Sequence, residues 1–299
     1  MRNYNRRIIN TPAIYSLENT FRIGAFADPH ADAEADGDVN HVPDEAQWEY
    51  TVQTCDRIRS FYQKMNEVNP DIIVGLGDYY RNYNDPLVDQ PSLDLVLSTR
   101  SVYTGDADVF YVAGNHDFHL SYDTLVTSFG YDGRTELGGS KFNYVQDYVK
   151  GLTKVRVITV DTNRVTTTTW GDQIYGKIID TTKTWLNNTI LASPYNDVIV
   201  FAHHGLTDDV WWDVDNYEEI VYLFHAALGV NPNMKIKLIF GHSHFAFDVL
   251  VNKEWGDRLI GLRFPAFKDN PVGKAAYIDI NPSGMIINNF ICPYPYVAV

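Results

Sequence analysis

Five short apolar runs in this chain each end in side chains that bind divalent metals. Phe26-Ala27 leads into Asp28-Pro29-His30, and Ile72-Ile73-Val74-Gly75-Leu76 into Gly77-Asp78. Val109-Phe110-Tyr111-Val112 leads into Gly114-Asn115-His116-Asp117. Val198-Ile199-Val200-Phe201 leads into His203-His204, and Ile236-Lys237-Leu238-Ile239-Phe240 into Gly241-His242-Ser243-His244. Carboxylates, a carboxamide oxygen and imidazoles suit borderline divalent ions, whereas an all-oxygen set suits Ca²⁺ or Mg²⁺. Asp28, His30, Asp78, Asn115, His203, His242 and His244 are too many ligands for one ion, and shared by two ions they leave open positions. Two ions about 3.5–4 Å apart need a bridging ligand, for which a carboxylate is the natural choice. In an extended segment, alternation points Asp28 and His30 one way and Pro29 the other, and the same holds for His242 and His244 around Ser243.

For one site to form, the runs must be strands whose ends meet. The segments 21–27, 71–76, 108–113 and 155–160 read as strands, with three more strand-like runs at 247–252, 258–263 and 275–280. Between them, 48–68 has apolar residues at helical spacing (Val52, Cys55, Ile58, Tyr62, Met65) and is stopped by Asn69-Pro70. The segments 93–103, 181–191 and 217–228 also read as helices, with 31–46 and 79–91 as loops. Strands alternate with helices early and dominate late, which predicts an α/β (α+β) fold with mixed sheets covered by helices. Residues 1–20 read as an N-terminal arm and 21–299 as a single domain, since no repeat or composition shift marks a boundary.

Bulk composition narrows the partners. The 299 residues are 45% hydrophobic, enough for a full core. A net charge of −14 argues against long nucleic acid, which needs a basic face, but leaves room for a small phosphorylated substrate whose charge a metal site can meet. Cys55 and Cys292 make no disulfide framework. No signal-peptide stretch comes after the basic start, and no apolar run approaches the ~18 residues of a membrane span, so a cytoplasmic protein without membrane contact is expected. The oligomeric state is not readable.

Asp28-x-His30, Gly77-Asp78, Gly114-Asn115-His116-Asp117, His203 and Gly241-His242-x-His244, in this order and approximate spacing, resemble the signature of the calcineurin-like metallophosphoesterase superfamily. The resemblance implies a four-layer αββα sandwich of two mixed β-sheets flanked by helices. It implies two transition-metal ions (Mn, Fe, Zn or Ni), one held by Asp28, His30 and His244 and the other by Asn115, His203 and His242, with Asp78 bridging. His116 is implied as the general acid that protonates the leaving oxygen, with Asp117 orienting it, and the reaction as in-line attack of a metal-bridging hydroxide on phosphorus. Val160-Asp161-Thr162 and the stretch from Gly176 to Trp185-Leu186 bear a weaker likeness to members that cleave phosphodiesters. The chain departs from the family at Gly205, where Pro is frequent.

The protein Ser/Thr phosphatases of the superfamily have Glu where this chain has Asp117, and a Gly-Asp-x-Val-Asp-Arg extension that is absent after Gly77. A small phosphodiester is therefore the favoured substrate, a nucleotide among the candidates. A phosphomonoesterase, a nuclease of the same fold and a non-catalytic metal-binding scaffold are the alternatives. Strand alternation makes His203 the expected ligand and turns His204 to the other face; Arg81 and His204 are the candidates for contact with substrate. Tyr79, Tyr80, Tyr83, Trp211 and Trp212 either wall a base-stacking pocket or pack the core. Asp32-x-Glu34-x-Asp36-Gly37 imitates a calcium loop, yet Pro43 stands where that loop needs a bidentate Glu.

Overall fold

Apolar runs with no polar alternation must be covered on both faces, and this requirement layers the molecule. The computed structural model describes residues 16–31, 52–80, 86–163, 176–206, 214–244, 247–267 and 273–292. In chain order these form β1 (Phe21–Phe26), α1 (Val52–Val68), β2 (Ile72–Gly75), α2 (Pro86–Ser98), β3 (Asp108–Tyr111), α3 (Tyr122–Ser128), β4 (Tyr144–Lys150) and β5 (Thr153–Thr159). They continue with α4 (Asp180–Leu191), β6 (Asp197–Phe201), α5 (Tyr217–Val230), β7 (Lys235–Phe240), β8 (Asp248–Asn252), β9 (Gly256–Arg263), β10 (Gly273–Asn281) and β11 (Gly284–Cys292).

One mixed sheet has the order β11-β10-β1-β2-β3 and the other β4-β5-β6-β7-β9-β8. In the first, β1, β2 and β3 are parallel. In the second, β5, β6, β7 and β9 are parallel and only the edge strands β4 and β8 run against them. Odd and even residues of each strand enter different cores. Ile23, Ile72, Val74, Ile199 and Phe201 meet between the sheets, while Ile73 faces α1 and Val198 and Val200 face α4 and α5. The result is the expected α/β sandwich in four αββα layers.

Asn69 ends α1 in a left-handed conformation, its N–H reaching the Met65 carbonyl at 2.9 Å. The expected start of this helix at residue 48 lies outside the described residues. Two expectations change. The loop expected over 79–91 gives way at Pro86, where α2 begins; Pro86 is suited to a first helical turn, and Pro91 costs only one helical hydrogen bond further in. Residues 284–292, not predicted as a strand, pair along their whole length with β10.

The parallel strands of both sheets end on one edge of the sandwich. Pairing continues past the strands: the Asp28 N–H donates to the Gly77 carbonyl at 3.1 Å, His30 to Asp78 at 2.9 Å and Gly241 to His203 at 3.1 Å. Carboxyl ends of strands are where open α/β sheets hold ligands.

Candidate metal centre

Two groups of side chains converge on that edge around Asp78. One ligand atom each from Asp28, His30, Asp78 and His244 lie within 4.8 Å of one another. On the other side, His203 Nε2 lies 3.3 Å from Asp78 Oδ2, 3.0 Å from Asn115 Oδ1 and 3.1 Å from His242 Nδ1. Asp78 Oδ1 accepts the His116 N–H at 3.0 Å, whereas Oδ2, buried and without a hydrogen bond among the described residues, is 3.6 Å from His30 Nε2 and 3.3 Å from His203 Nε2. A buried carboxylate oxygen between two imidazole nitrogens has the placement that a ligand shared by two ions would need.

The donor chemistry fits cations. His203 Nδ1 lies 2.7 Å from the Leu76 carbonyl, to which it donates, so in the neutral ring Nε2 carries the lone pair. That lone pair faces an Asn115 carboxamide oxygen and another imidazole nitrogen, an arrangement of acceptors that positive charge relieves. Charges among the side chains show the same demand. Burial alone would raise the Asp78 carboxyl, but His203, His116 and His30 hold it well below the usual carboxylate range. Burial works against a charged His203, yet Asp78 raises it to about 9. Dications held by these residues would take the place of those protons.

The backbone at the site is unusual. Asp28, His30, Asp78, His242 and His244 all have φ between 46° and 63°. The extended alternation expected for 28–30 and 242–244 is thus corrected: left-handed turns, which Asp tolerates better than most residues, aim both side chains of each pair. Gly77 and Gly114 permit the close approach. A Cβ on Gly77 would come within 2.5 Å of His203 Nδ1 and 2.7 Å of the Gly114 nitrogen, and one on Gly114 would run into Asp78 Oδ1 and its backbone nitrogen.

His116 is half-buried at the rim, its ring edge-on to His30 with centroids 4.9 Å apart, and its Nδ1 has no hydrogen-bond partner among the described residues. Among the described residues Asp117 makes no hydrogen bond to its ring. Both Asp117 oxygens are taken by backbone N–H groups, of Tyr79 at 2.9 Å, Asp78 at 3.0 Å and Gly114 at 2.7 Å. Burial and the Asp78 charge raise its carboxyl to about 8 against the pull of those N–H groups. In the 3-10 turn His116–His119 neighbouring side chains leave the axis about 120° apart, so His116 and Asp117 face different surroundings.

His204 also departs from expectation. The strand ends at Phe201, so alternation no longer applies, and His204 sits with its ring 4.9 Å from His203 and 4.3 Å from His242. It is fully buried and paired to Thr162, which is no place for a group that meets substrate from solvent. Tyr79 and Tyr80 are buried and bond to the Val112 and Asp117 carbonyls; they pack the core and do not wall a pocket. Arg81, Tyr83, Trp211, Trp212 and the acidic stretch 32–46 lie outside the described residues.

The end of β5 supplies residues whose role at the site the sequence did not reveal. Asn163 donates to the Ala113 carbonyl at 2.7 Å and links the two sheets beside Asn115, and Asp161 accepts from the Ser140 hydroxyl at 2.7 Å. Asp161 lies in the stretch whose weaker likeness to phosphodiester-cleaving members is visible in the sequence, and Asn163 has no signal beyond the polar turn after the strand.

A model of the calcineurin-like phosphoesterase family matches residues 21–246. No curated protein matches the chain. Among solved structures, a dimetal phosphatase from Danio rerio is similar with a TM-score of 0.68 at 15% identity, covering 92% of this chain and 99% of that one. The anchor in the inner membrane complex of Plasmodium gives 0.56 at 12% identity over 94% and 87%. A purple acid phosphatase from yellow lupin seeds gives 0.59 at 11% identity, over 94% of this chain and 52% of that one.

Proposed function

The chain belongs to the calcineurin-like phosphoesterase family, a family of hydrolases acting on phosphate esters, and from that premise we propose that it hydrolyses a small phosphodiester at a dinuclear metal site. The observation that carries this reading is the orphaned Asp78 Oδ2 between His30 and His203. Asp28, His30, Asp78 and His244 would hold one ion, and Asp78, Asn115, His203 and His242 the other. Mn, Fe, Zn and Ni all suit these donors. When bound, such ions supply a water that ionises near neutral pH and positive charge against the phosphoryl oxygens.

The protein's own part is positional and acid–base. Asp28, His30, Asp78, Asn115 and His203 are buried, while His116, His242 and His244 are partly open. Substrate therefore approaches over His116, His242 and His244. A proton on the His116 ring is placed to neutralise the leaving oxygen, with its backbone N–H anchored on Asp78.

Among the described residues, none of the side chains gathered at the site is Lys or Arg. A phosphodiester carries one negative charge, a monoester up to two, and a protein with a net charge of −14 repels the second more strongly. This favours the diester; nucleotides with a diester or pyrophosphate linkage are the class to screen. The test compares bis-p-nitrophenyl phosphate with p-nitrophenyl phosphate on Mn²⁺-loaded protein. Higher kcat/KM on the diester supports the reading. A monoester preference of tenfold or more reassigns the protein to phosphomonoesters, and turnover of neither ester supports a scaffold.

A further inference from the structure

The strand β5 ends on the same edge as its neighbours but brings no metal-binding residue to either half of the site. Its end delivers Thr162 instead. Resting on the dinuclear reading, we propose that Thr162 and His204 form a buried pair that fixes the His242 ring, and so sets the affinity of the half-site formed by Asn115, His203 and His242. Both residues are fully buried. Thr162 Oγ1 lies 2.8 Å from His204 Nδ1 and also accepts the His204 backbone N–H at 3.4 Å, so one hydroxyl holds the residue at two points.

The pair is enclosed from behind. The Thr162 carbonyl accepts the Lys177 N–H at 2.7 Å, which draws residues 176–177 against it. A Cβ on Gly176 would lie 2.6 Å from His204 Cγ and 2.7 Å from Nδ1, so the backbone closes directly on the imidazole. The front of the ring meets His242 with centroids 4.3 Å apart, tilted by 49°. His242 leaves a left-handed turn and must present Nδ1 beside His203 Nε2, 3.1 Å away. A buried ring held at Nδ1 and backed by Gly176, packed against His242, restricts the rotations that would aim His242 Nδ1 elsewhere. Outer partners of ligating histidines commonly govern metal affinity by 10–100-fold. Although its own ligand atom lies within 4.8 Å of those of His203 and His242, His204 is in this proposal a positioning residue acting through His242.

The test is a Co²⁺ titration of metal-free wild type, Thr162→Val, Thr162→Ser and His204→Gln, reading the two binding equivalents and the cobalt d–d absorption, with Tm of each metal-free protein in parallel. The pair predicts that Thr162→Val and His204→Gln weaken one equivalent about 10–100-fold and alter its absorption band, leave the other equivalent within about twofold, and that Thr162→Ser restores both. Wild-type affinities in Thr162→Val overturn the proposal. So does an equal loss of both equivalents with a lowered Tm, which marks a general packing role, or a defect in His204→Gln alone, which marks direct ligation. Fewer than two equivalents on wild type overturns the dinuclear reading itself.

Discussion

Asp117 accepts the backbone N–H of Asp78 at 3.0 Å, and through Gly114 and Tyr79 it binds the turns after β2 and β3 into one unit. The carboxylate next to the candidate general acid therefore serves the vertex of the metal site and not the acid. Replacing an acceptor with an amide puts an NH₂ against N–H donors, a cost of about 1–3 kcal/mol for a buried group left unmatched. Asp117→Asn should lower Tm by several degrees, at about 2–4 °C per kcal/mol in large domains, and weaken both metals, while the pH–rate profile keeps its limbs. A displaced limb with unchanged Tm would return Asp117 to the role of orienting His116.

The hydrogen bond from His116 to Asp78 is made by its backbone N–H, so it survives removal of the ring, which itself lies edge-on to His30. His116→Ala should lower kcat about 10²–10⁴-fold on esters with poor leaving groups, with metal content unchanged. The loss should shrink on p-nitrophenyl esters, whose leaving group needs no proton. Equal losses on both substrates would refute the acid role.

Gly114 leaves no room for a methyl group beside Asp78. Gly114→Ala should displace Asp78, costing about 1–3 kcal/mol of stability and at least one metal equivalent. Calorimetry and elemental analysis read both quantities; a variant with two ions and a wild-type Tm would show that the turn has slack.

In metal-free protein His203 is raised from 6.5 to about 9, chiefly by Asp78 against the opposing effect of burial. A group raised on folding stabilises the native state below its unfolded pKa and loses that contribution as pH rises through the folded value. Asp117, raised to about 8, acts with the same sign. Metal-free Tm should therefore fall between about pH 6.5 and 9. Metal uptake needs a neutral imidazole, so apparent Mn²⁺ affinity should rise over the same window. A metal-free Tm that holds or climbs from pH 6.5 to 9 contradicts this account.

The four layers and the strand ends were legible because each rests on short-range patterns: an uninterrupted apolar run, then Gly and a metal-binding side chain. The turns just past the strands were less legible. Asp28, His30, His242 and His244 were expected in pleated alternation, yet left-handed turns aim them, and a sequence of Asp and His does not distinguish the two. Past Phe201 the same alternation misplaced His204, because strand periodicity stops where hydrogen-bonded pairing stops. The resemblance implies that Asp117 orients His116, but a buried carboxylate goes where unmatched N–H groups are, and those of Asp78 and Tyr79 are far away in sequence. Non-local pairing also hid β11, whose apolar residues are interrupted by Asn288 and Asn289.

Asp78 Oδ2 would be the ligand held in common by two ions that supply the charge and the activated water for phosphoester hydrolysis. Elemental analysis of Mn²⁺-loaded wild type and Asp78→Asn, with bis-p-nitrophenyl phosphate turnover on the same samples, tests it most directly. Two equivalents with chelator-sensitive turnover in wild type, and loss of both binding and turnover in Asp78→Asn, is the predicted result. One equivalent or fewer in wild type, or a variant that keeps two ions and its activity, would contradict it.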